Sequence, residues 1–275
     1  MHRVSVVIPA LNEARNLPHV LPLIPRGTHE VILVDGESTD GTITVAREIL
    51  PGIRIVPQQG RGKGSALRTG FAAATGEIIV MLDADGSTDP REIPVFVDAL
   101  THGADLVKGS RFLPGGGTLD MPFYRKLGNG CFVGAVRLLF GGISTDLCYG
   151  YSAFWARILP QLQLDASGFE IETQMALRAR WAGFRVVEVP SFEARRIHGS
   201  SNLRTIPDGW RVTKQILRER FRSPIPRGSA TVANGQGFVG VPVMREFVGV
   251  PVMSEFVGVP VMSESPAVEI ARRSR

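Results

Sequence analysis

The chain has 275 residues, of which 44% are hydrophobic and 21% charged, and carries a formal net charge of +5. That apolar share excludes wholesale disorder, and the length suffices for one large domain with a full core. No stretch is long and apolar enough to span a membrane, Cys131 and Cys148 show no metal-ligand spacing, and nothing before Val4 resembles a leader, so the expected setting is cytoplasmic.

The first half alternates strand and helix signals. Val4–Pro9 is a continuous apolar run, as in a strand buried on both faces of a parallel sheet. Residues 16–24 read as a short helix, Val31–Asp35 as a second strand, and Ser38 or Thr39 as the cap of a helix reaching Leu50. Ile53–Pro57 is a third strand, followed by the glycine-rich Gly60-Arg61-Gly62-Lys63-Gly64 and a helix to about Thr75. Ile78–Leu82 is a fourth strand and runs into Asp83-Ala84-Asp85. Asp89-Pro90 opens a helix to about Leu100, and Leu106–Gly109 is a fifth strand. This order predicts an α/β fold with a doubly wound, mostly parallel sheet.

The second half is less regular. Residues 120–140, 169–182 and 208–222 read as helices, the last amphipathic, and Val186–Val189 as a strand. Trp155, Trp181 and Trp210 read as core or helix-packing residues, and Cys148 as a small buried hydrophobe. Between Arg195 and Arg222 eight basic residues face two acidic ones. Beyond a plain solvated face, such a surplus suits a phosphorylated substrate or peripheral contact with an anionic membrane; nucleic acid is not the expected partner. The expected domain covers 1–222. Within 223–275, Phe-Val-Gly-Val-Pro-Val-Met occurs three times at a period of nine residues. Its prolines each remove a ladder donor, so this tail is expected to be largely disordered.

Ligands of open α/β sheets bind beyond the carboxyl ends of the strands. Acidic residues gather there: Glu13 after the first strand, Asp35 at the end of the second, Asp83 and Asp85 after the fourth. Two carboxylates two residues apart can reach one hard divalent ion, Mg²⁺ or Mn²⁺, whose shell phosphate oxygens and water would complete.

These motifs resemble glycosyltransferase family 2, inverting enzymes of the GT-A fold that use nucleotide-sugar donors. The matching residues are Val6-Val7-Ile8-Pro9-Ala10-Leu11-Asn12-Glu13, Val34 to Thr42, Gly62-Lys63-Gly64, Asp83-Ala84-Asp85 and Gly109-Ser110-Arg111-Phe112. Glu188-Val189-Pro190 and Arg196-Ile197-His198-Gly199-Ser200-Ser201 further resemble the polyprenyl-phosphate hexosyltransferase branch. The resemblance implies that Pro9, Ala10, Asn12, Glu13 and Asp35 hold the nucleoside. It places Lys63 near the base or diphosphate, Asp83 and Ala84 near ribose and metal, and Asp85 on the metal. Arg111, Arg125 and Arg196 would grip an acceptor phosphate. Ser87 stands where the branch often has a Gln metal ligand, and Asn129 and Asn202 where Ser and Lys are usual.

A phosphate acceptor is already an anion and needs no base, whereas a hydroxyl acceptor needs a carboxylate. Asp146, Glu170 and Glu172 are the carboxylates available for that alternative. A sugar nucleotidyltransferase, or a non-catalytic nucleotide-binding scaffold, would share the sheet but not the full set of motifs.

Overall fold

A computed structural model describes residues 2–141, 144–200 and 203–222. The repeats, Ser201 and Asn202 lie outside them. In chain order the strands are β1 (Val4–Ala10), β2 (Glu30–Asp35), β3 (Arg54–Pro57), β4 (Ile78–Met81), β5 (Leu106–Ser110), β6 (Gly117–Thr118), β7 (Ser152–Trp155), β8 (Val186–Pro190) and β9 (Phe192–Glu193). Seven of them form one sheet, ordered β3-β2-β1-β4-β7-β5-β8, while β6 pairs with β9. Only β7 runs antiparallel to its sheet neighbours, β4 and β5. The expected doubly wound, mostly parallel sheet is present.

The helices are α1 (Leu17–Val20), α2 (Thr42–Ile49), α3 (Lys63–Ala73), α4 (Ile93–Thr101), α5 (Phe123–Phe140), α6 (Leu159–Leu162), α7 (Ile171–Trp181) and α8 (Thr205–Phe221). Successive residues of β1 serve opposite layers, which is why the strand is apolar throughout. Val6 and Ile8 join Leu17, Val20, Ala46 and Phe96 beneath α1, α2 and α4. Val7 joins Leu67, Phe71, Leu162 and Met175 beneath α3, α6 and α7. A third cluster, with Val136, Leu177, Val212 and Ile216, binds α5 and α8 to α7. Phe96 stacks on Tyr151 at 4.3 Å between ring centroids, so truncating it to Ala would cost about 3–5 kcal/mol.

Some local expectations are corrected. The helix expected over 16–24 stops at Val20 and tightens into a 3₁₀ turn over Leu21–Leu23, since Pro18 and Pro22 each remove a backbone donor. Ser38 and Thr39 do not cap α2. Ser38 Oγ accepts the Asn12 N–H at 2.9 Å, the Thr39 N–H goes to Asn12 Oδ1 at 2.8 Å, and Asp40 Oδ1 takes the Thr42 N–H at 3.0 Å. Strand β7 carries no sequence expectation at all. Trp155 donates to the Ala104 carbonyl and Trp181 meets Phe140 edge-on, as packing residues do. Trp210 is not one of them: it is 58% exposed on α8.

Candidate active site

The strands end in register at one edge of the sheet. Ala10 pairs with Asp35, and Asp35 with Pro57, so the loops after β1, β2 and β3 leave side by side. Asn12 takes a left-handed conformation (φ 59°) and stitches the first loop to the second through Ser38 and Thr39. Asn12 is therefore a loop brace. Asp35 is buried; its Oδ2 accepts the Ser38 N–H at 3.2 Å, while its Oδ1 is buried with no partner among the described residues.

The cavity over this edge has a volume of about 700 Å³. Pro9, Ala10, Glu13, Lys63, Asp83, Ala84, Asp85, Arg111, Arg125, Glu172 and Arg196 all line it. Asn12, Asp35, Asp146 and Glu170 do not. The structure thus gathers most of the sequence-derived residues around one space and leaves those four outside its lining.

Two cations organise the floor. Lys63 Nζ lies 2.7 Å from Asp83 Oδ1 and 2.8 Å from Glu172 Oε1. Burial alone would lower the Lys63 pKa, but the two carboxylates outweigh it and hold the ammonium form. Burial raises the Glu172 carboxyl, which Lys63 partly offsets. Gly150 leaves room for this trio: a Cβ there would sit 2.6 Å from Lys63 Nζ and 2.9 Å from Glu172 Oε1. Gly62 (φ 89°) lets the chain turn into α3 while pressed on the Ser167 carbonyl, 2.5 Å from where a Cβ would be. The glycines before α3 serve close packing.

The second cation is Arg196, which pairs with Asp85 Oδ2 at 2.8 Å and donates to Glu13 Oε1 at 3.0 Å. Burial raises the Glu13 carboxyl, opposed by Asn16 and Arg196. Asn16 positions the Arg196 segment by accepting the His198 N–H at 2.9 Å and donating to its carbonyl at 3.2 Å. His198 is thereby held through its backbone.

Asp83 and Asp85 offer carboxylate oxygens only, and among the described residues no cluster of three or more His, Cys, Asp or Glu side chains is suited to a metal. That donor set fits Mg²⁺ or Mn²⁺, hard ions that keep water and phosphate oxygens in their shell.

The arginines differ sharply. Arg111 is buried, paired through Nε and NH2 with both oxygens of Asp146 at 2.7 and 2.9 Å, and through NH1 with Glu193 at 2.9 Å. Its guanidinium lies 4.7 Å from the Tyr149 ring centroid. Burial works against its charge, but Asp146 and Glu193 outweigh it and raise the pKa. Arg125 instead donates to the Leu203 carbonyl and Thr205 Oγ1, both at 3.2 Å, and makes no ion pair among the described residues. Beside the main cavity lies a second one of about 340 Å³, lined by three arginines (Arg125, Arg195 and Arg196) and one carboxylate (Asp120), with Tyr124 and Ser200 among the rest. The two cavities share Asp120, Tyr124, Arg125 and Arg196.

Asp146, fully buried and doubly bonded to Arg111, is placed to hold that arginine. Glu188 anchors the loop before it through the Thr145 N–H and hydroxyl. Asn16, Glu188, Glu193 and Arg195 have no assigned role in the sequence reading. The partners of Asn16 and Glu193 lie 182 and 82 residues away, and no local pattern signals such pairs.

The sequence model of Glycosyl transferase family 2 matches residues 5–163, more than half of the chain. The chain belongs to glycosyltransferase family 2. Its relatives in that family include a dolichol-phosphate mannosyltransferase of Pyrococcus furiosus, 32% identical over 211 residues, or 74% of this chain. The match spans only 59% of that relative's length. An undecaprenyl-phosphate mannosyltransferase of Micrococcus luteus is 34% identical over 214 residues, covering 73% of this chain and 87% of the relative. Among solved structures, glucosyl-3-phosphoglycerate synthase from Mycobacterium tuberculosis, in complex with Mn²⁺, UDP and phosphoglyceric acid, superposes with a TM-score of 0.64. It is 24% identical, with 80% of this chain and 79% of that one covered, so it shares the fold. Family membership removes the nucleotidyltransferase reading.

Proposed function

We propose that this family 2 enzyme transfers a hexose, with inversion, from a nucleoside diphosphate sugar to a phosphorylated acceptor, a polyprenyl phosphate by preference. The observation that carries the acceptor is the second cavity, which three arginines line and which shares Arg125 and Arg196 with the cavity over the acidic strand ends. An arginine fork matches a phosphate through paired, charge-assisted hydrogen bonds. The Pro9–Glu13 loop and Asp35 are assigned to the nucleoside: Pro9, Ala10, Leu11 and Glu13 line the cavity, and Asp35 ends the neighbouring strand in register with Ala10. Asp83 and Asp85 would hold Mg²⁺ or Mn²⁺, which would supply positive charge against the departing diphosphate.

Of this chain's own residues, Lys63 fixes Asp83 in orientation and keeps Glu172 from competing for the donor. Arg196 pairs with Asp85 and lines both cavities, so it would adjoin donor and acceptor alike. Arg125 and Arg195 would orient the acceptor oxygen, and an ionised phosphate needs no proton removed.

A hydroxyl acceptor would need an available carboxylate. Of the three candidates, Asp146 is committed to Arg111 and Glu172 to Lys63, while Glu170 is outside the cavity lining and its Oε1 accepts the Gly168 N–H at 3.0 Å. The names of the mannosyltransferase relatives support the polyprenyl phosphate. The test is a donor screen, read as nucleoside diphosphate release, with a short-chain prenyl phosphate, phosphoglycerate or a simple sugar as acceptor. Release that only an unphosphorylated sugar stimulates would overturn the reading.

A further inference from the structure

Asp120 lines both cavities, yet nothing in the reaction so far uses it. It lies two residues beyond β6, whose Thr118 pairs in parallel with Glu193 of β9. Arg195 lies two residues beyond Glu193. The two segments leave the ribbon in the same direction, so a carboxylate and a guanidinium reach the same cavity together. The ribbon fixes this exit: the Leu119 N–H donates to the Glu193 carbonyl at 2.9 Å. Thr118 Oγ1 accepts the N–H groups of Asp120 at 3.3 Å and Met121 at 3.1 Å. Pro122 then opens α5, which brings Arg125 to the cavity within its first turn.

The charges of the second cavity are not equally available. Arg196 is already balanced by Asp85 and Glu13. Arg125, Arg195 and the exposed Asp120 make no ion pair among the described residues, and the Asp120 carboxylate accepts no hydrogen bond from them. The carboxylate therefore braces nothing, and the free groups are two cations and one anion. A phosphate ester brings close to two negative charges at neutral pH, since its second proton leaves near pH 6. Arg125 and Arg195 can match those two. An acceptor with a carboxylate beside its phosphate would bring a third, and Asp120 would meet it as an uncompensated like charge. Like charges placed together reject a wrong ligand more than they affect the right one.

We propose that Asp120 is a specificity-determining residue that excludes acceptors carrying a second anionic group beside the phosphate. It thereby restricts the acceptor to a phosphate ester whose remainder is uncharged, as a prenyl phosphate is and phosphoglycerate is not. This deepens the reading of a phosphorylated acceptor and rests on it. A carboxylate acting as base for a hydroxyl acceptor would be indispensable rather than selective, which separates the two roles by experiment.

The test is kcat/KM, read as nucleoside diphosphate release by the full chain, for a short-chain, water-soluble prenyl phosphate and for phosphoglycerate. The parent should prefer the prenyl phosphate. Asp120→Asn should shift the ratio toward phosphoglycerate by about fivefold, the effect of one unit charge about 4 Å away in water. Asp120→Lys changes two charges and should shift it about 25-fold. Both shifts should shrink at about 1 M salt, where the screening length falls to about 3 Å. A merely structural role would change both acceptors alike and leave the ratio fixed. A fixed ratio in both variants, or equal shifts from Asn and Lys, would overturn the proposal while the parent's transfer to prenyl phosphate left the acceptor reading intact. Loss of transfer to every acceptor in Asp120→Asn would also overturn it, since Asp120 would then be indispensable. A parent that uses neither phosphate but glycosylates an unphosphorylated sugar would remove the acceptor reading, and this proposal with it.

Discussion

Arg111 and Arg125 carry the same charge in opposite settings. Arg111 balances two carboxylates in a buried site, and removing it would leave Asp146 and Glu193 charged and unpaired. Breaking a buried pair from one side costs about 3–5 kcal/mol. Arg111→Ala should therefore lower denaturant stability by that amount, and a variant as stable as the parent would show Asp146 and Glu193 accommodated without it. Arg125 has only a carbonyl and a hydroxyl as partners. Arg125→Ala should leave stability within about 0.5 kcal/mol. Acceptor kcat/KM should fall about 10- to 150-fold, the equivalent of one lost charge-assisted bond. Donor binding is the control, and an equal loss there would move Arg125 to the donor side. Asp85→Asn replaces an anionic oxygen at the cavity and should abolish both Mn²⁺ binding, measured by titration calorimetry, and transfer. Full turnover in excess chelator would sink the metal assignment.

At the scale of elements, Glu30 ties several pieces of the sheet together. Its carboxylate accepts Ser5 Oγ of β1, the N–H and hydroxyl of Thr75 before β4, and Arg54 of β3. Burial opposes its charge, but these bonds outweigh burial and lower the pKa from 4.5 to about 2. A carboxyl lowered in the folded state stabilises fully above its unfolded value, and that contribution is lost as pH falls toward the folded value. Glu30→Gln should thus cost about 1–2 kcal/mol near neutral pH. The gap to the parent should close between pH 4.5 and about 2, as urea unfolding at several pH values would read; a gap constant through that window would place the effect outside ionisation. The same long-range ties explain what the sequence could and could not reveal. Strands β1, β2 and β4 announce themselves as apolar runs ending in acids. Strand β7 is four residues buried between β4 and β5, too short for any periodicity and antiparallel by non-local pairing. The lining residues were legible wherever a strand end or a motif marked them. The pairing of Arg196 with Asp85 and Glu13 was not, because it depends on where Asn16 holds a segment 182 residues away.

For the molecule as a whole, the proposed donor site is a junction of parts distant in sequence: the loop after β1, the end of β4, the start of α3, α7 and the Arg196 segment all line one cavity. A ligand that binds only this assembled state stabilises all of it at once. Saturation at about one hundred times Kd is worth about 2.7 kcal/mol, or roughly 5–11 °C in Tm for a domain of this size. Nucleoside diphosphate alone would bring its negative charge toward Asp83 and Asp85, whose ion-pair partners among the described residues are Lys63 and Arg196. A divalent ion removes that repulsion. The expected outcome is that either UDP or GDP, whichever base the site accepts, raises Tm by about 5–10 °C with Mn²⁺ and by less than about 2 °C in excess chelator. Equal shifts under both conditions would show that the diphosphate is held by Lys63 and Arg196 without a metal. No shift with any nucleoside diphosphate would remove the donor assignment and the proposed reaction with it.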